Sequence, residues 1–372
     1  MTLSTASPDP SSRAGDQQGA TRPQRPSPPH GDGGEGLRVG ILAPISWRVP
    51  PRHYGPWELF VSLLTEGLVA RGVDVTLFAT ADSVTAARLI GTAPAGYSED
   101  ATLDAKVWEA LHVAAAFEHA GELDLLHNSA DFLPLTYARL IDTPMVTTIH
   151  GFASDATLPV YQAYADRSAY VAISDADRHP ALEYAATIHH GIDLSAFELR
   201  NEPGRHLVFF GRIHPDKGAA AAIDVALASG IPLLIAGIVQ DEAYFRTQVE
   251  PRVDGSQVTY LGSVGPEERQ EVLGGAIALL HLIEFDEPFG FSVVEAMACG
   301  TPVIAHPRGS MPELISSGVN GFLVRTHEEA VEAIGSVGGV DREEVRRSVA
   351  TRFHVDRMVD EYLALYRQLL GR

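Results

Sequence analysis

The sequence has 372 residues, enough for two ordinary domains, and 45% of them are hydrophobic. Its formal net charge of −20 argues against a nucleic-acid partner, because nucleic-acid-binding proteins present a basic face. A single cysteine, Cys299, rules out a disulfide within the chain and a cysteine-rich metal site. There is neither a secretory-signal pattern nor an apolar stretch of about 18 residues, so we expect no integral membrane span and a cytoplasmic location.

The first part of the chain divides into a polar tail and a series of apolar runs. Residues 1–36 are rich in Pro, Ser, Gly and Asp, which predicts a disordered tail because such a composition cannot bury a core. Short apolar runs follow, separated by helical segments such as 57–71. They read LRVGILAP, DVTLFAT, LDLLHN, PMVTTIHG and AYVAISD. Strands that alternate with helices predict a parallel sheet with helices on both faces.

The same pattern restarts after residue 205. Five further apolar runs, again separated by helical stretches, read HLVFFG, PLLIAG, QVTYLG, IALLHLI and PVIAH. We therefore predict an α/β fold with two Rossmann-like domains, at 37–200 and 201–354, facing across a cleft. A helix at 355–372 could cross back to the first domain. Ligands of open α/β sheets bind beyond the carboxyl ends of the strands, so the cleft is the expected site.

The stretch EFDEPFGFSVVEAMACG, residues 284–300, is the strongest candidate for binding chemistry. A capping box at the start of a helix would by itself explain Ser292 and Glu295. Glu287, however, precedes a proline and must lie in the loop before that helix. Gly290 permits close approach of the backbone to a ligand, and the amides at the helix start favour an anion. This arrangement suits a nucleotide sugar, with ribose hydroxyls on Glu295 and the sugar near Glu287.

Glu287 and Glu295 also form the Glu-x7-Glu signature, and the run EPFGFSVVEAMACGTPVIAHPRGSMPELISSGVNGFLV resembles glycosyltransferase family four, whose members are retaining enzymes of the GT-B fold. The resemblance implies that Glu295 binds the ribose and that Glu287 contacts the transferred sugar. It also implies that Phe289, Gly290 and Phe291 help to hold the sugar and the phosphate.

The segment FFGRIHPDKG, residues 209–218, follows the first strand of the second domain. Its two cations, Arg212 and Lys217, could simply be solvated, but they leave the end of a strand where ligands bind. The segment resembles the family's Gly-Arg…Lys-Gly motif, which implies that Gly211 lies beside the donor and that both cations contact its diphosphate. Fixed cations stabilise the negative charge that grows on a departing phosphate.

Two loops of the first domain resemble other family motifs. Gly55 stands in a loop that usually reads Gly-Gly-x-Glu, but Pro56 replaces the second glycine and has no amide to donate. His150 ends the run TTIHGF, where the family's Thr-x-His motif implies a hydrogen bond to the donor sugar; a lone histidine is otherwise more often structural.

Further matches are weaker. His190 replaces the usual asparagine of an Asn-Gly-Val-Asp loop, so that asparagine's contact does not carry over. The strand ends at Gly237, Leu261 and Gly262 resemble the positions where the family holds the base through its backbone. His127 and His281 have no spacing typical of a metal site, and GT-B enzymes generally use protein cations instead, so we expect no metal and no cofactor.

These observations predict a retaining, metal-independent glycosyltransferase that moves a hexose from a nucleotide-diphosphate sugar to an acceptor hydroxyl. UDP-glucose is the favoured donor and GDP-mannose the next, on family frequency alone. The expected partners are this donor and a small-molecule or saccharide acceptor, and the oligomeric state stays open. A nucleotide-sugar 2-epimerase of the same fold and a non-enzymatic nucleotide-sugar-binding protein are the alternatives.

Overall fold

The structure is a computed structural model that describes residues 36–372, except His53, Phe152 and the side chains of Pro266 and Glu267. Apart from its last residue, the tail predicted for 1–36 therefore lies outside the described residues. The described part of the chain forms two parallel sheets with helices packed on them, which confirms the predicted fold class.

The first sheet has seven strands in the order β3-β2-β1-β4-β5-β6-β7, and all of its pairings are parallel. The strands are β1 (Arg38–Leu42), β2 (Asp74–Ala79), β3 (Arg88–Gly91), β4 (Leu125–Asn128), β5 (Met145–Ile149), β6 (Ser168–Ala172) and β7 (Ala186–Thr187). Each of the five predicted runs contains a strand. The two edge strands, β3 and β7, were not predicted, because both are short and only partly buried.

The second sheet has six parallel strands in the order β10-β9-β8-β11-β12-β13. They are β8 (His206–Phe210), β9 (Leu233–Ala236), β10 (Val258–Gly262), β11 (Ala276–His281), β12 (Val303–Ala305) and β13 (Gly321–Leu323). The five predicted runs again contain strands. The three-residue edge strand β13 was missed, since a run that short carries no periodicity.

Helices connect the strands and cover both sheets. Three follow strands of the first sheet: α1 (Pro56–Ala70), α2 (Ala105–Glu118) and α3 (Leu158–Ala163). The others are α4 (Ala219–Ser229), α5 (Glu242–Tyr244), α6 (Pro266–Gly274), α7 (Phe291–Ala298), α8 (Met311–Leu314), α9 (His327–Ser336), α10 (Arg342–Arg352) and α11 (Val355–Leu369). In the described part of the chain, none of these helices combines the length and the apolar character that crossing a bilayer requires.

The last helix, α11, crosses back and completes the core of the first sheet. Its buried face packs on α1, and Val359 lies so close to Gly67 that a Cβ there would be 2.4 Å from a Val359 methyl group. Tyr366 bonds His127 Nδ1 at 2.5 Å, and Thr148 bridges the other ring nitrogen of His127 to the Tyr362 hydroxyl. His127 is therefore a structural link between sheet and helix rather than part of a metal site.

In each sheet the strand order reverses beside the first strand of that sheet, between β1 and β4 and between β8 and β11. Such a reversal opens a crevice at the carboxyl ends of the strands. The segments that leave β1, β5 and β6 face those that leave β8, β9 and β11 across one cavity. The fold therefore brings together loops that are up to about 240 residues apart in the sequence.

Candidate active site

A cavity of about 680 Å³ lies between the two sheets. All of the site residues predicted from the sequence line this cavity except Leu261 and Gly262. Those that line it are Gly55, His150, Gly211, Arg212, Lys217, Gly237, Glu287, Phe289, Gly290, Phe291, Ser292 and Glu295.

The placement of Leu261 and Gly262 differs from the prediction. The Leu261 side chain is 40% exposed, and the carbonyl of Gly262 accepts a hydrogen bond from the Gly237 amide. Instead, the next two residues, Ser263 and Val264, line the cavity. Leu261 and Gly262 are the last two residues of β10 itself, and the loop that reaches the cavity begins only after the strand ends.

Lys217 and Glu287 form an ion pair inside the cavity. Lys217 Nζ donates to Glu287 Oε2 at 2.6 Å, and both side chains are about seven-eighths buried, with exposures of 13% and 14%. A 3₁₀ turn at Pro215–Lys217 carries the lysine, and Gly218 closes it with φ 76°. A Cβ on Gly218 would lie 1.9 Å from the Leu282 carbonyl oxygen, so only glycine lets this turn pack against the end of β11.

The loop that carries Glu287 is held from behind by residues 309–310. The Ser310 amide donates to the Glu287 carbonyl at 2.8 Å, and the Ser310 hydroxyl donates to the Phe289 carbonyl at 2.7 Å. These two bonds fix the backbone on both sides of Pro288. The Glu287 side chain therefore has a defined direction into the cavity.

The charge state of Glu287 follows from its neighbours. Burial acts to raise the pKa of the carboxyl, but His281 and the Lys217 ammonium outweigh it and hold the pKa at about 2. His281 Nε2 lies 3.7 Å from Glu287 Oε2, beyond hydrogen-bond distance, and burial lowers the pKa of this histidine. We therefore attribute the low pKa of Glu287 mainly to Lys217, and the carboxyl is ionised at neutral pH.

Glu295 forms the second charged pair of the cavity, with Arg269 of α6. Arg269 Nη1 donates to Glu295 Oε1 at 2.7 Å, and the Glu295 side chain is only 6% exposed. Burial raises the pKa of Glu295, and Arg269 opposes that shift. The helix begins at Phe291, with Gly290 as N-cap and no side-chain cap. The capping-box interpretation of Ser292 and Glu295 is therefore wrong.

Gly290 is required where the loop turns into α7. Its φ is 96°, a region that L-residues rarely adopt, and a Cβ would lie 2.8 Å from Met311 Cε. The turn aims the first amides of α7 into the cavity beside Phe291 and Ser292. These amides and the positive end of the helix dipole favour an anionic ligand.

Arg212 differs from the other cations of the cavity. Its Nη1 donates to the side-chain oxygen of Gln240, a neutral partner, whereas Lys217 and Arg269 each hold a carboxylate. Among the described residues that line this half of the cavity, Arg212 is thus the cation that bonds a neutral side chain instead of a carboxylate. Its positive charge is therefore the least compensated and the most available to a ligand.

The first half of the cavity is built largely from rings. His150 stacks on Trp57 with ring centroids 5.3 Å apart, and it also stacks on His190 at 5.3 Å. His190 in turn stacks on Phe291 of the second half at 5.0 Å and 12°. Four rings thus form a continuous column across the cleft. His190, which stands where an asparagine was expected, contributes a ring to this column.

Both histidines of the column are neutral at physiological pH. Burial lowers the pKa of His190 to about 3, and burial together with its neighbours lowers that of His150 well below the ordinary value. Neither ring nitrogen of His150 has a hydrogen-bond partner among the described residues. A neutral histidine with unused nitrogen atoms at a cavity wall suits a hydroxyl group of a ligand, because it can either donate or accept.

Gly55 and Pro56 stand at the start of α1. Gly55 is the N-cap and Pro56 the first helical residue, a position where the missing amide would have no partner in the helix. Nearby Tyr54 faces Arg212 and Glu287 of the other half. Burial raises the pKa of the Tyr54 hydroxyl, and the Arg212 charge opposes that rise. The two halves therefore meet around this tyrosine.

Several residues of the cavity were not predicted as site residues, among them Arg269, Tyr54 and Phe285. Phe285 lies under the Lys217 ammonium, 4.3 Å from nitrogen to ring centroid. His281 was considered only as a metal ligand. In the described part of the chain, no group of three or more His, Cys, Asp or Glu side chains could hold a metal ion.

Residues 193–338 match the protein family described as glycosyl transferases group 1. This stretch of the chain is therefore similar to a group 1 glycosyltransferase domain. It carries Arg212, Lys217, Glu287 and Glu295, and thus all the charged pairs of the second half of the cavity. The matched residues amount to somewhat less than half of the chain.

Curated relatives extend the similarity to the first half. A phosphatidyl-myo-inositol mannosyltransferase of Mycobacterium leprae is 28% identical over 331 residues, which cover 80% of this chain and 86% of the relative. A D-inositol 3-phosphate glycosyltransferase of Mycolicibacterium smegmatis is 29% identical over 211 residues, 50% of this chain. The match covers 47% of that relative, so the chain spans about half the length of several relatives that it matches.

Solved structures establish the architecture. A sucrose-phosphate synthase of Thermosynechococcus elongatus superimposes with a TM-score of 0.75 at 20% identity, covering 90% of this chain and 99% of that one. A glycosyltransferase involved in avilamycin A biosynthesis gives a TM-score of 0.67 at 23% identity, covering 90% and 98%. The chain thus has the GT-B fold.

Proposed function

We propose that this chain transfers a hexosyl group from a nucleoside diphosphate sugar to an acceptor hydroxyl. The observation that carries the proposal is the Lys217–Glu287 ion pair beside Arg212, in a cavity at the carboxyl ends of both sheets. Two cations and the amides of α7 suit a diphosphate, and an ionised carboxylate next to them suits sugar hydroxyls.

In this proposal the nucleotide binds to the second half of the cavity. Glu295 accepts the ribose hydroxyls while Arg269 holds its carboxylate in place at 2.7 Å. Arg212, Lys217 and the first amides of α7 bind the diphosphate. Glu287 and His150 bind hydroxyls of the hexose. The base lies near Gly237, which follows β9, and near Ser263, which follows β10.

The chemical step proposed is transfer with retention of configuration. The bond between the anomeric carbon and the diphosphate oxygen breaks, and its electron pair leaves with the phosphate. The acceptor oxygen forms the new bond on the same face, and its proton passes to the departing phosphate oxygen. Arg212 and Lys217 stabilise the charge that grows there. An α-linked donor would then give an α-linked product.

For the donor we propose UDP-glucose first and GDP-mannose second. One relative is named a mannosyltransferase, which supports a mannosyl donor as the second candidate. We also propose that no metal ion takes part, because the protein cations already lie where the diphosphate would bind.

The test is a thermal-shift panel of UDP, GDP and ADP and their common sugar conjugates, run with and without EDTA. A ligand that binds only the native state raises the melting temperature. A shift with one nucleotide that survives EDTA and disappears in Glu295→Ala supports the donor assignment. No shift with any nucleotide would overturn it. Release of the nucleotide that depends on an added acceptor then distinguishes transfer from 2-epimerisation and from binding alone.

A further inference from the structure

Among the residues that the structure describes, the first half of the cavity contributes two charged side chains to the lining, Arg52 and Asp193. This arginine is held by two carboxylates. Arg52 Nη1 donates to Glu99 Oε1 at 2.6 Å, and Arg52 Nη2 donates to Asp82 Oδ2 at 3.2 Å. The two terminal nitrogens of a guanidinium can bind a phosphate together. In Arg52 both of them already donate hydrogen bonds to carboxylates.

Both carboxylates are fixed by further hydrogen bonds. The Thr80 hydroxyl donates to the second oxygen of Asp82 at 2.7 Å, and the Arg48 amide donates to the second oxygen of Glu99 at 3.1 Å. The three side chains Asp82, Arg52 and Glu99, here called the acidic clamp, are therefore built in advance. A ligand that needed Arg52 would have to displace two held carboxylates.

The formal charge of the acidic clamp is −1, from one guanidinium and two carboxylates. The lining on this side holds one further carboxylate, that of Asp193, and is otherwise uncharged, with Pro50, Pro51, Tyr54 and Trp57 among its residues. A phosphate group on this side of the cavity would lie near negative charge and would find no available cation. Its binding is therefore disfavoured. A neutral hydroxyl compound has no such penalty, and its apolar faces suit the proline and aromatic rings.

We propose that the acceptor is an uncharged hydroxyl compound, a neutral polyol or saccharide, and that the acidic clamp rejects acceptors that carry a phosphate. This inference rests on the proposed function, because it concerns the acceptor side of the same cavity. It sets this chain apart from the relatives that are named for D-inositol 3-phosphate. That compound is therefore an informative probe, with myo-inositol as its uncharged counterpart.

The experiment measures binding of D-inositol 3-phosphate by calorimetry, with the donor site filled by the nucleoside diphosphate that gives the thermal shift. We expect no saturable binding to the unmodified protein. The double variant Asp82→Asn/Glu99→Gln should gain saturable binding, and adding Arg52→Ala should remove it. Glu122→Gln, which takes a carboxylate from Arg88 elsewhere on the first sheet, is the matched control and should gain nothing.

Two results would overturn the inference. One is binding of D-inositol 3-phosphate to the unmodified protein that Arg52→Ala abolishes, since the clamp would then accept a phosphate. The other is a folded double variant that gains no binding. Failure of the donor proposal is a separate result, because it shows as absence of nucleotide binding before any acceptor is added. The same phosphate titrations of the unmodified protein, the double variant and the triple variant can then still be made without a nucleotide.

Discussion

The two halves of the cavity use opposite means to prepare for a ligand. The second half is charged, and its Lys217–Glu287 and Arg269–Glu295 pairs are buried and bonded at 2.6 and 2.7 Å. The first half presents neutral rings, such as Trp57 and His150, and its one lining arginine is neutralised by carboxylates. The difference teaches that the two sides of one cleft can differ in charge, which suits the charged donor and the neutral acceptor proposed above.

Two buried glutamates, one in each domain, show how a nearby cation changes the pKa of a carboxyl group. Glu287 has a pKa of about 2 because a lysine lies beside it in the second half. Glu58 of α1, which is buried in the first domain and is not among the residues that line the cavity, has a pKa of about 7, because burial raises it and hydrogen bonds from the backbone only partly oppose the rise. Burial is similar for both side chains. The presence of a cation therefore decides the direction of the shift.

The largest effect is expected from Lys217→Ala. This change removes a cation from the diphosphate and leaves Glu287 buried without its partner. By analogy with the loss of one group that stabilises a developing negative charge, the turnover rate should fall by about 10²- to 10³-fold. The measurement is release of the nucleoside diphosphate from the donor.

Lys106→Ala is the matched control, because Lys106 is the chain's other lysine and is exposed on α2. Its rate should stay near that of the unmodified protein. A folded Lys217→Ala variant that keeps more than about a tenth of the activity would mean that the charged wall does not serve the chemical step.

Glu58→Gln should stabilise the protein in a pH-dependent way. A carboxyl whose folded pKa is raised keeps its proton while the unfolded chain loses it, so stability falls as the pH rises from about 4.5 to about 7. Glutamine cannot ionise. The stability advantage of the variant should therefore be small at pH 4.5 and reach roughly 3 kcal/mol by pH 8.

Urea unfolding at several pH values measures this difference. Glu118→Gln, at an exposed position of α2, controls for the loss of a carboxylate as such. If the stability difference between Glu58→Gln and the unmodified protein stays constant with pH, a cation compensates Glu58. That result would contradict the comparison of Glu58 with Glu287.

Glu295→Ala should weaken nucleotide binding. Hydrogen bonds to a charged group contribute about 1.5–3 kcal/mol. Loss of those to the ribose should therefore raise the dissociation constant roughly 10- to 100-fold. Calorimetry with the nucleoside diphosphate measures it. Glu271→Ala is the control, since Glu271 pairs with Arg200 and is 67% exposed. Equal weakening in both variants would remove the special role of Glu295.

The smallest effect is expected from Leu261→Ala. The family resemblance assigned Leu261 to the base, but its side chain is exposed, and Ser263 and Val264 line the cavity instead. Nucleotide affinity should change by less than about twofold, as is usual for a surface substitution. A larger loss of affinity in the same titration would mean that the end of β10 also contributes to nucleotide binding.

Most of the fold could be predicted from the sequence, because strands of a buried parallel sheet appear in the sequence as short runs of apolar residues. The strands it missed, such as β3 and β13, have three or four residues each and lie toward the sheet edges, where burial is partial. Local turn chemistry also predicted that Glu287 leaves the sheet in a loop and that Gly290 permits a close approach.

The pairings within the site could not be predicted in the same way. Arg269 lies on α6, whose sequence PEERQEVLG has four charged residues, and nothing local indicates which of them turns inward. Its partner Glu295 belongs to another helix. The same holds for Arg52 and Glu99, which are 47 residues apart. Such contacts depend on how elements pack in three dimensions, and a single sequence carries no signal for that.

The return of α11 to the first sheet has a consequence for biosynthesis. The residues that fill the core beside α1, among them Val359 and Tyr362, are made about 290 residues after α1 itself. While the ribosome is still building the second half, the surface of α1 that receives α11 is open to water. The nascent chain therefore cannot finish its first domain in order of synthesis, and chaperones have a defined apolar surface to protect until translation has passed Leu369.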